Sequence, residues 1–133
     1  GFTAEYLFAG GFSPKDLREG GFTVPELRAI DVTVDQLREG GYSADQLKSA
    51  GCNCQELVNA GFSAPELIKP GFSAKDLKET GFSAKILSQS GLTIAQLHGA
   101  GYTVEELRST KCSIKELRAV GISATELCAL GCT

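Results

Sequence analysis

Seven of the thirteen Lys and Arg side chains are separated by multiples of ten residues: Arg18, Arg28, Arg38, Lys48, Lys78, Arg108 and Arg118, with His98 in the same phase. Evenly spaced cations on a rigid support can follow a phosphate backbone, which makes these eight residues a candidate binding ladder. A cation near a helix C-terminus also complements the helix dipole whether or not anything binds, and that account is favoured. Phe8, Val58, Ile68, Ser88 and Cys128 interrupt the series. Eight of the sixteen acids share a different phase, where a structural duty is expected rather than a catalytic one.

Five cysteines cannot all pair within the chain. Cys52, Cys112 and Cys132 stand at bulky apolar places and Cys54 at a small one, so buried thiols are expected. Cys52-Asn53-Cys54, and Cys128 with Cys132, lack the paired spacing of a zinc site, and His98 is the single imidazole. No metal or cofactor is implied. Glycines recur every ten residues, unlike the clustered glycines of a phosphate loop. With no nucleophile-base pair to name, the chain is read as non-enzymatic.

The elements that position these side chains follow from the same ten-residue period. Thirteen complete decads are followed by a stub, Gly131-Cys132-Thr133, with no break in phase. The first place is Gly except at Asp31 and Lys111, and the third is Ser or Thr except at Asn53. The sixth is Glu, Asp or Gln except at Tyr6 and Ile86, and the seventh is Leu throughout. A hydroxyl or amide at the third place is a helix N-cap, and an acid or amide three residues later completes a capping box. Gly at the start of the next decad supplies the left-handed residue that ends a helix. Pro14, Pro25 and Pro65 fall in the first helical turn, where no helical N–H bond is lost. The pattern predicts one helix of about seven residues per decad.

The apolar second place is positioned to pack on the Leu ahead as a hydrophobic staple and on the Leu behind across the glycine turn. Such short helices need stacking for stability. The expected fold is therefore all-α, a solenoid or superhelix of about thirteen short helices forming a single repeat domain over residues 1–133. Pro70, at the last place of a decad, predicts a shortened helix and a local bend.

A longer likeness is also present. Phe2, Phe12, Phe22, Val32, Tyr42 and Cys52 return as Phe62, Phe72, Phe82, Leu92, Tyr102 and Cys112. Duplication of a sixty-residue block is the favoured explanation, and a superhelical turn of six helices is the competing one.

The 133 residues are 42% hydrophobic and 22% charged, which excludes collagen and charge-rich disorder. The net charge of −3 argues against wholesale polyanion binding. No apolar run approaches the roughly 18 residues of a membrane helix, and no leader opens the chain. That absence and the odd cysteine count favour an intracellular setting. A start at Gly1 and a partial last unit suggest a portion of a longer array.

The runs Gly61-Phe62-Ser63-Ala64-Pro65-Glu66-Leu67 and Gly71-Phe72-Ser73-Ala74-Lys75-Asp76-Leu77 resemble tandem GFSxxEL decapeptide arrays. The resemblance covers the whole chain and implies an elongated repeat scaffold, with little about activity. An apolar residue every five places also resembles the pentapeptide β-helix. That coil needs a small residue two places before Leu, where Lys15, Asp35, Asp45, Lys75, Lys85 and Glu105 stand. The leading expectation is a scaffold that binds a protein or associates with its own copies, including end to end through Ala129-Leu130-Gly131-Cys132. Nucleic-acid binding along the ladder is the alternative, and no membrane role is expected.

Overall fold

In the computed structural model, which describes residues 1–131, every complete decad caps a helix at its third place and begins it at the fourth. Ser13 has extended geometry, φ −73° and ψ 160°. Its Oγ accepts the Asp16 N–H at 3.2 Å, and Asp16 Oδ2 accepts the Ser13 N–H at 2.8 Å. The return bond from the N-cap N–H recurs in every helix except the first and ninth, where Tyr6 and Ile86 replace the acceptor. Asn53 serves as a cap like the hydroxyls, its Oδ1 accepting the Glu56 N–H at 2.9 Å.

The ends are equally regular. Gly21 turns left-handed at φ 89°, its N–H bonding Arg18 O, while the Phe22 N–H bonds Leu17 O, both at 3.0 Å. This is the paired bonding of a Schellman turn, which satisfies carbonyls the helix leaves open. Asp31 and Lys111 adopt the same left-handed backbone at φ 61° and 60° despite carrying side chains.

The thirteen helices among the described residues have five or six residues rather than seven, because the tenth-place residue, or in three of them the ninth, becomes the cap. No strand is assigned among the described residues, so the extended-coil alternative is excluded for them. The chain divides into two compact units, Gly1–Pro70 and a second that begins at Gly71. The first holds α1 (Ala4–Ala9), α2 (Pro14–Glu19), α3 (Val24–Arg28), α4 (Val34–Glu39), α5 (Ala44–Ser49), α6 (Cys54–Asn59) and α7 (Ala64–Ile68). The second holds α8 (Ala74–Glu79), α9 (Ala84–Gln89), α10 (Ile94–Gly99), α11 (Val104–Arg108), α12 (Ile114–Ala119) and α13 (Ala124–Ala129).

Helix α7 is shortened, as Pro70 requires, with its cap at Lys69. Helices α3 and α11 are just as short and lead into Asp31 and Lys111, an effect the decad pattern alone did not indicate.

Each unit is an all-α solenoid in which a helix meets the next and the next but one. In the first, α1 packs on α2 and α3, α2 on α4, and α5 on α6 and α7. In the second, α10 packs on α8, α9, α11 and α12, and α9 on α11. The longer recurring interval of packing is two repeats. The approach is close: a Cβ on Gly40, at the end of α4, would lie 2.9 Å from Pro14 Cβ at the start of α2.

The core is the leucine column. Leu27 to Leu107, taken every ten residues, are all at 0% exposure. Among the described residues no polar or charged residue is buried. The buried face of each short helix is therefore apolar, and the charged side chains lie outside it.

Candidate functional site

The eighth-place cations sit in the last turns of their own helices, yet most reach elsewhere. Arg18 Nε donates to Gly40 O at 2.8 Å, and Lys48 Nζ to Pro70 O at 2.9 Å. Arg108 Nη1 donates to Leu130 O at 2.6 Å, and Lys78 Nζ donates to Gly101 O. Each target is a carbonyl 22 or 23 residues on, at the junction that follows the helix two repeats ahead. A helix end has open carbonyls and partial negative charge, so a cation there satisfies both. In these four cases the cation serves a neighbouring helix's C-terminus.

The other ladder residues vary this theme. Arg28 donates to Cys52 Sγ at 2.9 Å and pairs with Glu56 at 3.2 Å. These contacts raise its pKa, the sulfur bond most. The Arg38 guanidinium lies 5.1 Å from the Phe62 ring centroid, and Lys78 lies 5.2 Å from that of Tyr102. His98 contributes charge that helps hold Glu126 low. The Arg118 side chain makes no hydrogen bond or ion pair among the described residues.

Two residues that the decad reading missed make the same long tie in reverse. Tyr42 Oη donates to Phe22 O at 2.6 Å, and Tyr102 Oη donates to Phe82 O. Burial raises both phenol pKa values. A signal was available: Tyr replaces Phe at two second places sixty residues apart. A second signal lies in the glycine column. A Cβ on Gly41 would meet the Arg18 guanidinium at 3.2 Å, and one on Gly101 would meet Lys78 Nζ at 3.3 Å. The two first places without Gly, Asp31 and Lys111, lie 23 residues after Phe8 and Ser88, where the cation is missing.

The decapeptide repeat region family matches residues 1–73, 31–104 and 71–133, which together span the chain. The chain belongs to the decapeptide repeat family. No curated protein and no solved structure matches it.

Six capping acids of this decapeptide repeat array are held below their ordinary values. Asp16 and Glu26 are lowered first by the side-chain hydroxyls of Ser13 and Thr23. Glu56, Glu66, Glu116 and Glu126 are lowered first by the backbone N–H of their N-caps. Gln36, Gln46 and Gln96 make the same return bond without charge. Cys52 and Cys54 are buried, whereas Cys112 is half-buried and Cys128 exposed, so the thiol expectation holds in the apolar column best at position 52. Cys132 lies outside the described residues. Among the described residues, no helix is long and apolar enough to cross a membrane.

Proposed function

We propose that the decapeptide array is a non-catalytic scaffold whose stacked repeats bind a protein or assemble with copies of the same chain. The observation that carries this reading is the engagement of eighth-place cations with carbonyls two repeats on. Together with acids bound to their own N-caps, it assigns most of the recurrent charge to architecture. What the repeats then offer is a shaped exterior, with Ile86 and Ile114 at 45% and 54% exposure.

Nucleic-acid binding along the ladder ranks second, because Arg18, Lys48 and Arg108 would have to leave carbonyl partners to neutralise phosphates. Sedimentation velocity between about 1 and 100 µM would test the scaffold reading, with retention on mixed-sequence DNA and RNA measured at about 50 mM salt. Association that persists in salt and weakens in an Ile86→Ser/Ile114→Ser variant is expected, with no nucleic-acid retention. A monomer at every concentration that binds nucleic acid with a steep salt dependence would overturn the reading.

A further inference from the structure

One groove shape occurs twice in the first unit, displaced by twenty residues. The smaller copy, about 540 Å³, is lined by Arg18, Phe22, Thr23, Tyr42, Gln46 and Ser49, among others. The larger, about 800 Å³, is lined by Arg38, Tyr42, Ser43, Phe62, Glu66 and Lys69 in the corresponding places. Asp45 stands on the rim of both. The twenty-residue displacement matches the two-repeat packing interval between a helix and the next but one.

Chemistry separates the two copies. In the smaller, Arg18 is bound to Gly40 O, and Ser49 and Ala50 stand where the larger has Lys69 and Pro70. In the larger, the Arg38 guanidinium lies over Phe62, 5.1 Å from the ring centroid, and donates no hydrogen bond among the described residues. Its N–H edges are therefore open, and Lys69 adds a second exposed cation to the same furrow. Glu66 lines the same furrow and Arg38 helps hold its pKa low, but its carboxylate accepts the Ser63 N–H and hydroxyl at 2.8 and 2.7 Å and forms no ion pair with Arg38 among the described residues.

We propose that the groove between Tyr42 and Pro70 binds a short extended peptide through a carboxylate, which Arg38 and Lys69 hold while the half-buried Pro70 meets an apolar side chain. A planar guanidinium fixed on a ring is suited to a carboxylate because its paired N–H donors match the two oxygens. The furrow volume lies within the range of small-ligand sites. Asp45 supplies an acceptor for a peptide N–H at the rim. The proposal deepens the scaffold reading by naming a partner chemistry and rests on it, but its readout is separate from self-association.

The test is an NMR titration of the 133-residue chain with three probes: acetyl-Ala-Ala-Leu as free acid, the same peptide as its C-terminal amide, and acetyl-Ala-Asp-Ala-amide. The free acid is expected to shift the amides of residues 41–45 and 61–69 with a Kd of about 1 mM, leaving residues 21–25 unmoved. The amide should bind at least about tenfold more weakly. The Asp-bearing probe decides whether a side-chain carboxylate serves as well as a chain terminus. Arg38→Gln and Lys69→Gln should each weaken the acid by about tenfold, and Lys115→Gln should not. Lys69 is exposed and makes no tie, so its variant reads binding even if Arg38→Gln loosens the stack. Equal shifts from acid and amide, shifts that survive Lys69→Gln, or none up to about 10 mM would overturn the proposal. Failure here with intact self-association would leave the scaffold reading standing.

Discussion

Among the described residues, Lys111 and Asp31 are the two at which side chains occupy a left-handed turn that glycine takes elsewhere. A Cβ in that region costs about 1–2 kcal/mol, although glycine returns part of this through its greater freedom when unfolded. Lys111→Gly is therefore expected to stabilise the second unit by about 0.5–1 kcal/mol in urea unfolding. Asp31→Gly should gain less, because a short polar side chain tolerates this geometry better than Lys. Their survival becomes intelligible beside the absent cations at Phe8 and Ser88: the junctions overlain by Arg18, Arg38 and Lys78 have Gly.

At the scale of the element, each helix is specified within its own ten residues, and that is why the helices were legible from sequence. Ser13, Asp16 and Gly21 act on backbone groups three to five positions away, so spacing alone reveals them. Helix lengths were less legible, since α3 and α11 end early at junctions whose geometry depends on neighbours. Capping also sets a pH dependence. A carboxylate whose folded pKa lies below its unfolded value contributes stability above the unfolded value and loses it as pH falls through the folded one. The six lowered acids start from ordinary values of 3.8 for Asp16 and 4.5 for the Glu residues, so the melting temperature should fall as pH drops below that range. Changing Glu26, Glu66 and Glu116 together to Gln should leave the helices intact at pH 7 and flatten this acid limb in thermal circular dichroism. Gln36 and Gln46 already show that the amide makes the bond. An unchanged acid limb would contradict the assignment.

At the scale of the whole molecule, each compact unit is held by ties that span two repeats. Local spacing could not disclose them, because Arg18 and Gly40 meet only once α2 and α4 have packed. The ladder was visible in the sequence as a column of charge, while its destination was set by stacking. The same is true of the larger groove: Arg38, Phe62 and Lys69 sit in three different decads and converge through the two-repeat interval. Decapeptide family membership agrees with this architecture. The central claim is that these cations fasten repeats together.

The most direct measurement is thermal and urea unfolding of Arg18→Gln and Arg108→Gln beside the parent chain, with nucleic-acid retention measured on the same samples. The account predicts a loss of about 1 kcal/mol for each variant, equivalent to roughly 4 °C in Tm, with retention absent in all three. Unchanged stability together with retention by the parent that disappears in the variants would show that the cations serve a ligand instead.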